Sequence, residues 1–368
     1  MTNPAAHPRF DGLDLARALA IAGMAAVHFG PTAADGLTGA LYALPHGRAA
    51  VLFMVVAGMG VALLARSRTA SEYHLTALLG WRALLLIPLG LVLQTAVSAQ
   101  YIILQTYGLL FLLAPLLLRL RDRHLGAVAI ASALIGTTAF LAGRIHAPST
   151  FDRAPIELGT GGGDMLHGLL LSGPYPLMVW LAPFALGLWL GRKDLTDPLV
   201  QQRLALAGAA TALAAALVTS GMQGLLAGPS APEVEGITTD LAPATNWQDA
   251  FSLEAHSQMP LWLISACGIA VALVGLAGMA AGAWRERLWP LIAFGQTALT
   301  FYVAHLLALA IWPDVLTAEQ PAGGLALTLI ALGVGMLFAV TWLRYQRRGP
   351  LESLLRPPRV WPFGRRST

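Results

Sequence analysis

The chain has 368 residues, of which 56% are hydrophobic and 11% charged, with a formal net charge of +4. Soluble domains carry roughly 25% charged residues, and a water-soluble fold of this length has too little interior to bury so much apolar surface, so lipid is the expected solvent. One cysteine, Cys267, excludes a disulfide framework and a cysteine metal cluster. The pI near 9.6 raises nucleic acid as a partner, but the basic residues are spread over short loops and the C-terminal segment, so no nucleic-acid partner is expected.

From the amino terminus, apolar runs of near-spanning length fall at 13–30, 47–65, 76–97, 100–118, 125–143, 174–191, 204–226, 259–282, 288–312 and 323–343. They predict an all-α, polytopic integral membrane bundle of about ten transmembrane helices. Pro88, Pro115 and Pro183 lie inside runs, where neighbouring helices can satisfy the freed backbone groups. The first run is interrupted by Asp14 and Arg17, and no small-x-small cleavage site follows before Pro31, so it reads as a retained helix and not a signal peptide.

Charge on the connections sets the expected orientation. Arg66 and Arg68 follow the second run, Arg119, Arg121 and Arg123 the fourth, Arg192, Lys193 and Arg203 the sixth, and Arg285 and Arg287 the eighth. After the tenth come Arg344, Arg347, Arg348, Arg356, Arg359, Arg365 and Arg366. The opposite loops hold only Arg48, Arg144 and Arg153, with acids such as Asp152, Asp240, Asp249 and Glu254. The positive-inside rule then puts both termini in the cytoplasm and makes the helix count even. The expected organisation is a cytoplasmic segment over 1–12, a single transmembrane domain over 13–344 and a basic cytoplasmic tail over 345–368. Two outward loops, 144–173 and 227–258, exceed the ~15 residues beyond which loops are usually functional or disordered. The stretch Gly159-Thr-Gly-Gly-Gly-Asp164 lacks the following Lys-Ser/Thr and the strand of a phosphate loop and reads as a connector.

Ionisable residues inside a membrane are costly and therefore functional candidates. Asp14, Arg17 and His28 all fall in the first run. Arg17 and His28 are eleven residues apart, three helical turns plus roughly 20°, so they share a face about 16 Å apart along the axis. Asp14 lies one turn before Arg17 and can pair with it. The bland alternative is an interfacial Asp–Arg pair with Arg17 snorkelling and His28 among headgroups. Three further histidines are expected at the level of His28: His46 in Pro45-His46-Gly47-Arg48, His256 in Glu254-Ala255-His256-Ser257, and His305 in the ninth run. A histidine cluster there can supply a general base. Zinc is the competing reading, but no HExxH or comparable ligand spacing occurs, so no metal is expected. Gln105 and Tyr107 in the fourth run, and Gln296, Thr297, Thr300 and Tyr302 in the ninth, either bond between helices or line a pocket. Ser257 beside His256 is not a hydrolase pair, since adjacent positions do not face each other and no Gly-x-Ser-x-Gly elbow is present.

The segment Leu13 to His28, with an Arg, ten residues and then His, resembles the first helix of the large membrane acyltransferase clan, as in the acyltransferase family three proteins that acylate cell-surface sugars. The remainder is similar to the bacterial branch related to heparan-alpha-glucosaminide N-acetyltransferase and the YeiB-like proteins. The supporting stretches are His46-Gly-Arg-Ala-Ala-Val-Leu-Phe53 with Ala57-Gly58, Ile103-Leu-Gln105-Thr-Tyr107-Gly108, His256-Ser-Gln-Met-Pro260, Gly295-Gln-Thr-Ala-Leu-Thr300-Phe-Tyr302-Val-Ala-His305, and Arg348-Gly-Pro350-Leu-Glu352-Ser-Leu-Leu-Arg356. They cover nearly the whole chain in order.

This resemblance implies a multi-pass protein of the bacterial inner (plasma) membrane that transfers an acyl group across the bilayer. Acetyl-CoA would be the cytoplasmic co-substrate, with no permanently bound cofactor, and a hydroxyl or amine of an extracytoplasmic glycan or small molecule the acceptor. The base is either His28 or His46, in company with Asp14 and Arg17. Arg17 and Arg82 would attract CoA phosphates, with Gln105 and Tyr107 lining the donor channel. Arg48, His256, Ser257, Gln296, Thr300, Tyr302 and His305 would line the acceptor pocket. The partners are then the bilayer, acyl-CoA and the acceptor, and a homodimer is compatible with this reading. The alternative is a small-molecule transporter or channel using the same polar path, which an inverted repeat with paired broken helices would favour; none is visible in the sequence.

Overall fold

A computed structural model describes residues 10–30, 41–66, 72–97, 102–226, 246–317 and 321–357. The expected positions Arg68, Asp240, Arg359, Arg365 and Arg366, residues 1–9 of the 1–12 segment and most of the 227–258 loop lie outside the described residues.

Within those residues every regular element is helical. In chain order they are α1 (Asp11–Phe29), α2 (Arg48–Ala65), α3 (Glu72–Ala96), α4 (Leu104–Leu118), α5 (Asp122–Ala131), α6 (Thr137–His146), α7 (Gly162–His167), α8 (Leu177–Leu190) and α9 (Pro198–Leu226). There follow α10 (Pro260–Gly295), α11 (Ala298–Ile311), α12 (Pro313–Leu316), α13 (Pro321–Tyr345) and α14 (Pro350–Leu354). A π-helical turn, Ser132–Gly136, joins α5 to α6, so that Asp122–His146 forms one apolar span. Each of the ten apolar runs is helical over most of its described residues. Seven helices among the described residues are long and apolar enough to cross a membrane, and the pair Gly162–Ser172 and Leu177–Leu190, bent by 52°, makes an eighth if counted as one span. The fourth run and the last part of the ninth, Leu104–Leu118 and Ala298–Ile311, are apolar but shorter.

Burial sorts the helices into a centre and a rim. The spans containing α1 and α2 are each 61% buried, against 22% for those of α9 and α13. α1 packs on α10 and α2, and α2 on α8, with α3 against α4 and α9 against α10 outside them. The rim helices point Leu206, Leu213 and Leu217 of α9 and Leu329, Val334 and Leu337 of α13 outward. Large apolar side chains displayed in this way need hydrocarbon, not water, around them.

The run expected as a single ninth helix, 288–312, is broken. Residues 285–295 are the second arm of α10, whose two arms meet at a kink where Trp284 leaves helical geometry (φ −131°, ψ 34°). The chain breaks again at Gln296 and Thr297, and α11 begins at Ala298. The start of the segment expected as a basic tail turns back onto the bundle. Leu354 O accepts from Trp81 Nε1 of α3 (2.8 Å), and Arg348 O from Trp342 Nε1 (2.7 Å). α14 lies against α11.

Candidate active site

The site is built on α1. Asp11 and Asp14 stand in its first turn, where negative charge suits the helix dipole, and His28 stands in its last. Asp14 is 1% exposed and pairs with Arg17 one turn later, which lowers the cost of placing either charge in the bundle. Gly295 lies against the Asp14 carbonyl so closely that any Cβ would collide with it. This lets the α10–α11 break approach α1 at the level of the ion pair. Arg17 Nη2 lies against Gly60 of α2. Arg82 of α3 is near, within electrostatic range of Arg17, Arg348 and Arg356, and its buried Nε has no hydrogen-bond partner.

From this basic end a file of aromatic rings runs toward His28. The Arg82 guanidinium lies 6.0 Å from the Phe111 centroid, and Phe111 is 6.0 Å from Tyr107. Tyr107 is 5.3 Å from Phe53, Phe53 6.4 Å from Tyr302, and Tyr302 5.6 Å from His305. α2, α3, α4 and α11 thus contribute to one continuous seam. The Tyr107 hydroxyl in its middle is buried without a partner. Such orphaned polar atoms are rare in native proteins and call for an occupant or a role.

At the far end of the seam the four candidate histidines converge. His28 Nδ1 and His305 Nε2 are 2.9 Å apart with the rings stacked at 5.2 Å. His256 and His46 are within electrostatic range of His28. His28 and His256 line a cavity of about 30 Å³, room for a water or for one hydroxyl or amine group, together with Pro45, Gly47, Tyr175 and Tyr302. His46 is not on the cavity wall; its Nδ1 donates to the Tyr42 carbonyl at 2.6 Å. Gly47 adopts φ +67°, and a Cβ there would meet Trp262 and the His256 backbone. The tight turn between His46 and α2 therefore requires glycine.

His256 sits on a strained turn. It and Gln258 have φ of 59° and 63°, a left-handed conformation that non-glycine residues adopt only when their surroundings enforce it. The enforcement comes from Gln258, fully buried, whose Oε1 accepts from Trp180 Nε1 (3.0 Å) and whose Nε2 donates to Pro174 O (2.8 Å). His256 rests between Tyr175 and Trp262 with Nδ1 unpartnered. Burial, with Arg153 and His46 adding like charge, pushes its pKa down to about 3, so its ring is neutral near pH 7.

The other sequence candidates are more dispersed. Arg48 Nη1 donates to Ala43 O (3.1 Å), away from the cavity wall. Ser257 Oγ accepts from Met259 N (3.3 Å) ahead of α10. Gln105 lines a separate small cavity with Gln94, Thr106 and Tyr175. Gln296 is half-buried at the α10–α11 break, and Thr300 is bonded to Glu352 of α14. Among the described residues no three His, Cys, Asp or Glu side chains are grouped so as to hold a metal ion. Tyr175, whose carbonyl is held by Thr106 Oγ1 (2.7 Å), also lines the cavity; its mark in the sequence is an aromatic between Pro174 and Pro176. Phe53, a ring of the seam, carries no such mark within its apolar run.

Comparison with protein families divides this site in two. A family model described as heparan-alpha-glucosaminide N-acetyltransferase, catalytic, matches residues 9–227, and one for a protein of unknown function (DUF418) matches residues 234–360. No curated protein matches the chain. Asp14, Arg17, His28, His46, Arg82 and Tyr107 fall in the first match, and His256, Tyr302, His305 and Glu352 in the second. The first match takes in more than half of the sequence, and on that ground this multi-pass membrane chain belongs to the heparan-alpha-glucosaminide N-acetyltransferase catalytic family.

Proposed function

We propose that the protein transfers an acetyl group from cytoplasmic acetyl-CoA to a hydroxyl or amine of an extracytoplasmic sugar or similar acceptor, with His28 as general base, in the plasma membrane of a bacterium. The observation that carries this reading is the seam itself. It joins a cluster of arginines, including one with an unpartnered buried nitrogen, to a histidine-lined cavity at the other end of α1. The family membership supports an acetyl transferase chemistry, and the basic connections support an orientation with both termini, and hence the arginines, on the cytoplasmic side.

In this reading Arg17 and Arg82 attract the phosphates of CoA through charge-assisted bonds. The pantetheine arm lies along the rings, and the Tyr107 hydroxyl bonds one of its amides or the thioester oxygen. The acceptor's O–H or N–H enters the cavity beside His28. The nitrogen base takes that proton as the nucleophile attacks the thioester carbonyl, the C–S bond then breaks, and the thiolate leaves to be protonated as CoA. General-base help of this kind is worth about 10²–10⁴-fold. His28 is preferred over His46 because His28 lines the cavity, whereas His46 lies off its wall with Nδ1 committed to Tyr42.

A transport reading has one observation in its favour, the two broken helices at 172–177 and 296–297, since discontinuous helices build many transporter sites. One experiment separates the two. Purified protein in liposomes is given radiolabelled acetyl-CoA outside and amino-sugar acceptors inside, with the reverse arrangement as its partner. Acetylated acceptor and free CoA in a fixed ratio are expected. Acceptor crossing the bilayer unmodified, with no CoA released, would replace the enzyme reading by the transporter.

A further inference from the structure

The hydrogen bonds around His305 determine which nitrogen of His28 carries a proton. His305 Nδ1 lies 3.0 Å from the Phe301 carbonyl, four residues back on α11. A carbonyl only accepts, so that nitrogen bears the hydrogen, and in a neutral ring Nε2 then bears the lone pair. His28 Nδ1, 2.9 Å from that lone pair, must be the donor. The opposite assignment would aim a bare Nδ1 of His305 at the Phe301 oxygen, lone pair against lone pair. The proton order therefore runs from His28 Nδ1–H to His305 Nε2, and from His305 Nδ1–H to the backbone. It leaves the His28 lone pair on Nε2, on a ring that lines the cavity.

The rings around His305 fix it for this task. Phe301 stacks on it at 5.4 Å with an interplanar angle of 17°, Phe29 meets its edge at 5.9 Å, and Tyr302 at 5.6 Å. His305 is 4% exposed. Its Nε2 cannot turn away without giving up both the Phe301 bond and the packing. A ring nitrogen whose tautomer is set by what the other nitrogen bonds is the usual way a protein dedicates an imidazole to one task.

We propose that His305 is a positioning residue: by accepting from His28 Nδ1–H it locks His28 in the tautomer whose Nε2 lone pair takes the acceptor's proton. The proton arrives on Nε2, the N–H on Nδ1 stays in place, and the imidazolium formed in the transfer keeps its bond to His305. The inference rests on His28 acting as the base. It also assigns a task to the part of the chain that matches a family of unknown function: that part carries the residue that orients a base supplied by the other part.

The test combines a spectroscopic and a kinetic readout on full-length protein in lipid. ¹⁵N NMR of histidine-labelled protein, with His28 assigned by difference from His28→Gln, is recorded at about pH 8, where exposed imidazoles are neutral. A protonated Nδ1 and a bare Nε2 are expected for His28. His305→Phe keeps a ring between Phe29 and Phe301 but removes the acceptor. Its His28 signal should become a tautomer mixture, and kcat should fall about 10–100-fold, within the range a general base contributes, with KM for acetyl-CoA unchanged. His305→Gln retains an acceptor near the position of Nε2 and should restore the tautomer and most of kcat. A His28 with its proton on Nε2 in the wild type overturns the inference outright, as does a His305→Phe variant with wild-type tautomer and kcat. Should His305→Phe fail to fold, the wild-type spectrum and the comparison of His305→Gln with His305→Leu decide the matter. If the wild-type protein transfers no acetyl group at all, the function reading fails while the spectrum still decides the tautomer.

Discussion

Glu352 closes the amino end of α11 through Thr300. Its Oε1 accepts from the backbone N–H groups of Leu299 (2.7 Å) and Thr300 (3.1 Å), and its Oε2 from Thr300 Oγ1 (2.6 Å). Thr300 Oγ1 in turn accepts from Leu351 N at 3.1 Å. A carboxylate from the C-terminal segment thus satisfies two of the donors that every helix start leaves open, and its charge suits the helix dipole. Because α11 carries His305 one turn and a residue further on, the latch also holds the base's partner in register. Glu352→Ala should cost about 1–2 kcal/mol of stability, the usual worth of a lost helix cap. Thermal unfolding in detergent checks it, and Thr300→Ala in the same background should add little because the two residues share bonds. Additive losses would show that the latch is not a unit.

His28 and His46 make separate expectations for activity. His28→Gln should lower kcat for acetyl transfer by about 10²–10⁴-fold, the span of a general base. His46→Gln should stay within about tenfold of wild type, since tenfold is only about 1.4 kcal/mol and His46 lies off the cavity wall with Nδ1 bonded to Tyr42. Initial rates with labelled acetyl-CoA decide between them. The reverse order would move the base to His46.

Much of this was legible in the sequence because lipid imposes strict rules on composition. Each apolar run is helical over most of its described residues, since a segment in hydrocarbon has to satisfy its own backbone. The alignment of Asp14, Arg17 and His28 followed from helical period alone, and the convergence of His46, His256 and His305 on His28 from their expected level in the membrane. Other features depend on contacts between distant segments, which local pattern does not encode. The break at Gln296 and Thr297 lies within an unbroken apolar run, and the close approach of Gly295 to Asp14 accompanies it. Thr300 read as a pocket residue because its bond to Glu352, fifty-two positions away, leaves no mark on periodicity. Tyr175 reaches the cavity by way of Thr106 and the prolines that flank it.

The lowered pKa of His256 makes an expectation for stability against pH. In the unfolded chain this imidazole titrates near 6.5, whereas burial in the fold brings it down to about 3. Between those values the unfolded state binds a proton that the folded state refuses, so stability is present above 6.5 and is lost as pH falls toward 3. Replacing the ring by an amide removes that proton uptake. The melting temperature of His256→Gln should therefore fall less than that of wild type between about pH 7 and about pH 5. Parallel declines for the two proteins would mean that His256 titrates normally in the fold.

Arg82 offers the sharpest test of where the donor binds. Its Nε is buried without a partner, its guanidinium faces Phe111 at the start of the aromatic seam, and Arg17, Arg348 and Arg356 add to the positive potential there. Repulsion from these neighbours makes the Arg82 charge costly, and a phosphate placed beside its guanidinium group would relieve that cost. Arg82→Leu should thus raise the KM for acetyl-CoA by about 10–100-fold, as expected for one charge-assisted bond of about 1.5–3 kcal/mol. It should leave kcat within a few-fold, because the residue is at the far end of the seam from His28. The same variant should melt no lower than wild type without donor and gain less from added CoA. If KM were unchanged and kcat fell instead, Arg82 would act on the chemistry and the phosphates would have to be held elsewhere.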